Sequence, residues 1–290
     1  MSTQFTATQS LSGLDSHLPV DDKSWRARLE LAFENARDKT VLRRKHVGPL
    51  VIQRPFYPEG RVCHTYVLHP PGGVVGGDRL SIDVRCDNDA EGLITTPGAN
   101  RFYRSDGKCA HQYQNFQVGN GSVEWMPMES IYFDGARVSQ QLNIELTQGS
   151  RFIAWDINCF GRTAGNHTFR TGKVSNRIRV FRCSVPVYVD RLCIAGARDL
   201  ERSTGLRGAV VSGTMILTGD GTINQETLGL VRTQLEGQPN VAATLVERLI
   251  IVRYLGDSAE QARGVFSAVW QLMRPVLFGK TAVAPRIWAT

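Results

Sequence analysis

The sequence has no CxxC pair, no Gly-x-Ser-x-Gly elbow and no His-Glu-x-x-His motif. Its 6 cysteines, at 63, 86, 109, 159, 183 and 193, and its 6 histidines, at 17, 46, 64, 69, 111 and 167, are scattered. Neither a disulfide framework nor a structural zinc site is built on such spacing. Hydrolytic catalysis by a nucleophile, base and acid has no local signature either. Most of the cysteines are expected to be reduced, half-buried small hydrophobes. No run approaches the ~18 apolar residues of a membrane helix, because Arg, Glu or Gly interrupts the richest windows. Charge is sparse, at 21% of the 290 residues against roughly 25% in ordinary soluble domains. The 34 Lys and Arg exceed the 27 Asp and Glu for a net charge of +7, but only Arg43, Arg44 and Lys45 run together. That is no nucleic-acid footprint. The start, Met1 to Pro19, lacks the basic residues and apolar stretch of a secretion signal. These absences point to a cytoplasmic protein that binds or scaffolds rather than catalyses, with no nucleic-acid and no membrane partner.

What is present is glycine and many short apolar runs. The 28 glycines punctuate those runs in the manner of strands joined by turns. The expected fold class is therefore mainly β. In 25–33, Ala27, Leu29, Leu31 and Phe33 alternate with Arg28 and Glu30, the period-two pattern of a half-buried strand. Further strands are expected near 40–44, 50–54, 64–68, 80–85, 92–96, 112–116, 122–125, 140–146, 151–155, 177–181, 185–189, 209–217 and 243–253. Strands so short and numerous suit a sandwich, a barrel or a solenoid-like stack, and with no fixed repeat period a solenoid would be irregular. Two segments break the pattern. In 225–235, Leu228, Val231 and Leu235 share a helical face. Near the end, Asp257 and Glu260 are spaced as a capping box ahead of Ala262, Val265, Phe266, Val269, Leu272, Met273 and Val276. The polar stretch 1–24 reads as a disordered leader and 25–290 as a single domain.

Three features carry potential chemistry. The loop from His69 to Asp78 has four glycines in six positions. Either its backbone approaches a ligand closely, with Asp78 at its edge, or it is a tight double turn. Without a Gly-Lys-Ser/Thr ending or a following helix it is neither a phosphate loop nor a dinucleotide fingerprint. Next, Pro97-Gly98 leads into Arg101-Phe102-Tyr103-Arg104, residue types that dominate interface hot spots and also occur in plain loops. Finally, Asp156 closes Phe152-Ile153-Ala154-Trp155 and Asp190 closes Val185-Pro186-Val187-Tyr188-Val189. An enclosed carboxylate needs a cation, hydrogen bonds or internal water, so each belongs to a salt bridge, with Arg191 for Asp190, or to a polar channel. Cys63-His64 and Cys109-x-His111 either offer soft and imidazole ligands to a transition metal or sit on opposite faces of a strand. A metal-dependent hydrolase using Cys63, His64 and His69 is the rival reading they support.

The motifs taken together resemble a known family. They are His46-Val47-Gly48-Pro49-Leu50 with Gln53 to Pro58, the loop Leu68 to Leu80, Thr96-Pro97-Gly98 to Ser105, Glu124-Trp125-Met126-Pro127, Phe133-Asp134-Gly135-Ala136 and Ala154-Trp155-Asp156. Ser175-Asn176-Arg177, Val189-Asp190-Arg191, Trp270 to Pro275 and Pro285 to Thr290 continue the pattern. From about Trp25 to its end the chain resembles the urease accessory protein family UreD, also called UreH. The resemblance implies a non-catalytic assembly factor that binds apo-urease and, with UreF and through it the GTPase UreG, installs nickel at the urease active site. It implies an extended, irregular β-helix-like stack of short strands with two α-helices near the C-terminal part. It also implies no permanently bound cofactor, with nickel in transit through a water-filled internal tunnel. By matching motif, Asp78, Asp156 and Asp190 correspond to acidic tunnel residues of the family, and Ala99 and Asn100 flank the same passage. Arg101, Phe102, Tyr103 and Arg104 are the candidate interface. Position 190 departs from the glutamate of a relative but keeps the charge, whereas Met128 replaces a glutamine and removes any polar role there.

Overall fold

The computed structural model describes residues 24–162, 165, 167–219 and 221–289, so the expected leader lies outside it apart from Ser24. Alternation decides which face each strand buries. In β1 (Arg26–Ala36), Ala27, Leu29, Leu31 and Phe33 are buried while Arg28 and Glu34 are exposed. β1 forms an antiparallel hairpin with β2 (Lys39–Val47), and the short β3 (Val51–Ile52) lies beside β4 (Cys63–Leu68).

From there the chain winds in coils. β5 (Arg79–Cys86), β6 (Glu91–Thr95) and β7 (Asn100–Phe102) make the first coil, and β8 (Ala110–Val118), β9 (Ser122–Met126) and β10 (Ser130–Tyr132) the second. In the third, β11 (Arg137–Leu146) is followed by β12 (Arg151–Arg162), whose two halves form the remaining sides. β13 (His167–Thr168) pairs back on β12, and β14 (Lys173–Arg182) opens a fourth coil against which β15 (Val185–Ile194) folds antiparallel. Corresponding strands stack in parallel, so one side is β5, β8, β11, β14 and another β4, β6, β9, β12, while β7, β10 and the end of β12 form a third. Register partners run from Arg79 to His111 to Ser139 and from Arg137 to Lys173, offsets of 32, 28 and 36 residues. The stack is an irregular solenoid whose sheets do not close into a barrel. On its outer face Asp83, Asn115, Asn143 and Arg179 link successive strands by side-chain hydrogen bonds of 2.8 to 2.9 Å.

The remaining elements are α1 (Ala197–Glu201), β16 (Val211–Thr218), α2 (Gln225–Gln234), β17 (Val241–Val246), β18 (Leu249–Gly256) and α3 (Ala259–Phe278). The single strand expected over 243–253 is thus a hairpin. Its turn has Glu247 in the left-handed region at φ 52° with no Gly or Pro to announce it. The α3 cap is also displaced by one residue: the Ser258 side chain accepts from the Gln261 backbone, while Asp257 accepts from the Val210 backbone at 3.3 Å. β16 and β18 extend the sheet of β12, and α2 and α3 pack on that sheet's outer face. Two cores result. One fills the solenoid, including Phe116, Trp125, Phe152 and Ile144; the other joins sheet and helices through Trp155, Met215, Phe266, Trp270 and Met273.

Between α3 and the sheet sits a buried ionic cluster. Arg274, with no exposure, donates to Glu59 at 2.6 and 2.7 Å and to Glu124 at 3.0 to 3.1 Å, and also to the Thr281 carbonyl. His64 Nε2 lies 2.6 Å from Glu59, and Trp270 donates to Glu124 at 2.5 Å. Burial raises Glu59, but hydrogen bonds from His64 and Arg274 more than offset it and hold the carboxyl below its ordinary value. Burial pushes Glu124 up against the pull of Arg274.

Candidate functional site

Inside the solenoid, β8, β11 and β14 each turn one amide inward at the same register, Gln112, Gln140 and Asn176. On the third side Asn100, Ser130 and Asn158 align in the same way. The two rows meet once per coil. Asn100 Nδ2 donates to Gln112 Oε1 at 2.8 Å, Gln140 Nε2 to Ser130 Oγ at 3.4 Å, and Asn176 Nδ2 to Asn158 Oδ1 at 3.0 Å. Buried amides demand partners, so each row enforces the other. Beside them runs an aromatic row of register neighbours, Phe102, Tyr132 and Phe160, with 5.3 Å between successive ring centroids. The Tyr132 hydroxyl reaches into the polar rows, 2.8 Å from Gln140 Oε1 and 2.6 Å from Asn158 Oδ1. Burial and the Asp156 charge raise this phenol well above its ordinary value.

The rows end at Asp156, on β12 two residues before Asn158. Its Oδ2 accepts from Asn158 at 2.6 Å and Asn176 at 2.5 Å, leaving Oδ1 without a hydrogen-bond partner among the described residues. Burial raises this carboxyl above its ordinary range, the two amide donors oppose the shift, and the charge of Asp190 adds to it. Asp156, Asn158 and Asn176 form the inner wall of a cleft of about 1070 Å³ whose lining includes Asp190 and Arg253. Asp190 is paired with Arg253 on β18 at 2.9 Å, in place of the adjacent Arg191, and Arg253 also donates to Tyr188 at 2.9 Å. Burial and the Asp190 charge push the Tyr188 phenol up to about 12.

Asp78 stands apart from this cleft. It accepts backbone hydrogen bonds from Trp25 at 3.0 Å and Val75 at 2.9 Å, closing the glycine-rich loop onto β1. It lies two residues before Leu80, the register neighbour of Gln112, and so at the first-coil end of the amide row. The loop is built around its own chain: a Cβ on Gly73 would sit 2.1 Å from the Tyr103 ring, and Gly77 has φ 96°. Asn100 heads the second row and Ala99 beside it is half-buried. Arg101, Tyr103 and Arg104 are exposed, but Phe102 is wholly buried in the aromatic row and has no surface to offer an interface. Its inward place follows from strand alternation within Asn100–Phe102.

The same alternation separates the adjacent pair Cys63-His64. Cys63 faces the solenoid core while His64 belongs to the ionic cluster. Burial raises the thiols of Cys63, Cys86, Cys109 and Cys159, with Cys86 pushed up to about 12, so these sulfurs stay protonated. Among the described residues no group of three or more His, Cys, Asp or Glu is arranged to hold a metal ion. Nor is any helix there long and apolar enough to cross a membrane.

The chemistry of the two polar rows is thus one of neutral oxygen and nitrogen groups leading to a carboxylate at a cleft. The family described as "UreD urease accessory protein" matches residues 26–289, which include every residue of these rows. The chain belongs to the UreD family. It is 40% identical over 277 residues to the urease accessory protein UreD of Alcanivorax borkumensis, covering 92% of this chain and 93% of that one. The Citrobacter koseri UreD is 41% identical over 271 residues, at 92% and 93% coverage, and that of Dechloromonas aromatica 39% over 289 residues, at 96% and 100%. Within this UreD chain, Gln112, Gln140, Asn158 and Tyr132 were not singled out by sequence reasoning. Their signal was inward-phase polar residues recurring in successive coils, which becomes visible only once the strand register is known.

Proposed function

We propose that the chain serves urease maturation as a non-catalytic assembly factor in the cytoplasm, binding apo-urease and UreF, and UreG through UreF. Its cargo is nickel, which travels along the paired amide rows between the first coil and the Asp156 cleft. The observation that carries this reading is the continuity of those rows with a cleft bearing two carboxylates. Ni²⁺ accepts oxygen and nitrogen ligands, and neutral amides spaced along a path pass a cation that a thiolate cage would trap. Asp78 and Asp156 then mark the two ends, Asp190 attracts the ion at the cleft, and Ala99 and Asn100 flank the first-coil end. Arg101, Tyr103 and Arg104, exposed beside Asn100, are the surface offered to a partner there.

The test is the nickel content and activity of urease matured in cells with all other accessory proteins present. Without this chain urease is expected to be nickel-poor and inactive. Asp156→Lys and Asp190→Lys are expected to lower nickel insertion while the protein still co-purifies with urease. Fully metallated urease in the chain's absence overturns the maturation role, and unimpaired insertion by both lysine variants overturns the passage.

A further inference from the structure

The open volume and the polar rows do not end at the same place. The cleft is walled by Asp156, Asn158 and Asn176, whereas the rows continue past it through Gln140 and Ser130 to Asn100 and Gln112. Tyr132 stands at that boundary, with no exposure, its hydroxyl between Gln140 of one row and Asn158 of the other. From this geometry we infer that Tyr132 is the gate of the passage, an inference that rests on the nickel-passage reading above.

The closure has a physical basis in both halves of the side chain. The ring is stacked between Phe102 and Phe160 at 5.3 Å on each side, so it cannot swing out without breaking two aromatic contacts. The hydroxyl has one proton to give and lies within hydrogen-bond reach of both Gln140 and Asn158, so it ties one row to the other. A divalent cation arriving from the cleft competes with that tie. It takes the Gln140 and Asn158 carbonyl oxygens as ligands, the amides turn from the phenol, and the proposed passage opens with the ring still in place. Three neutral oxygens at this level favour a cation that sheds part of its water, and no carboxylate is among them to hold it.

The experiment follows nickel appearing in urease after a nickel pulse, in cells carrying the full accessory set, with zinc as competitor. Tyr132→Phe keeps the ring stack and removes the hydroxyl, and Gln140→Met removes the opposite side of the closure. Each is expected to leave co-purification with urease intact, raise the initial rate about fivefold, the equivalent of about one hydrogen bond of 1 kcal/mol, and let zinc compete more strongly. Unchanged rate and competition in both variants, with Asp190→Lys still impaired, overturns the gate and leaves the passage standing. A lower rate in Tyr132→Phe with urease binding intact also overturns it, since the hydroxyl is then a required ligand. Unimpaired insertion by Asp156→Lys and Asp190→Lys removes the passage and the gate together.

Discussion

Two buried polar systems lie on opposite faces of the same sheet, and they are built in opposite ways. Toward the helices, Arg274 is matched by Glu59 and Glu124, with His64 and Trp270 completing the hydrogen bonds. Toward the solenoid interior, neutral amides face each other and end at Asp156, a carboxylate held by two amide donors and, among the described residues, by no cation. A buried charge is costly, and the first system answers with opposite charges that fix α3 on the sheet. The second leaves the cost partly unanswered where a cleft opens. The difference teaches which of the two suits an arriving cation: in the cluster Arg274 already occupies both carboxylates, whereas Asp156 is held by amides beside an open cleft.

That contrast can be broken most severely at Arg274. Arg274→Met strands two buried glutamates and is expected to destabilise the chain by about 3–5 kcal/mol, read as a loss of denaturation midpoint in urea. On the other side, Asn176→Leu removes a donor shared by Asp156 and Asn158. Its expected cost is smaller, about 1–3 kcal/mol in the same assay. Equal losses from the two substitutions would erase the distinction.

The smallest effects are the sharpest, because they differ in sign. Glu59 is held below its ordinary 4.5, so its stabilisation is present above that pH and is lost as pH falls through the folded-state value. Asp156 is raised above its ordinary 3.8, so its contribution is present below that pH and is lost as pH rises through the folded-state value. Urea unfolding across the acid range should therefore show Glu59→Gln less stable than the parent toward neutrality, with the deficit closing on acidification. Asp156→Asn, whose amide oxygen still accepts from Asn158 and Asn176, should match the parent in acid and gain on it toward neutrality. A deficit for Asp156→Asn near neutrality would show that the carboxylate stabilises the fold and would remove the contrast with the ionic cluster.

Local chemistry determined a good deal by itself. Alternation over Ala27 to Phe33 and helical spacing over Ala262 to Met273 specify a β-rich chain closed by an amphipathic helix, because each buries its apolar face whatever it packs against. The family motifs were equally legible, since they are contiguous residues. Pairing across the fold was not. Arg253 rather than Arg191 meets Asp190 because β18 is brought beside the cleft through β16 and β12, a relation with no trace in neighbouring sequence. The amide rows were hidden for a related reason: coils offset by 32, 28 and 36 residues show no period, although their strands are in strict register. Phe102 looked like an interface residue among Arg and Tyr, and the stacking of three coils made it core. Sequence thus determined which faces must be buried, and the tertiary winding decided which polar groups would be buried together, because parallel register joins residues that the chain keeps about thirty positions apart.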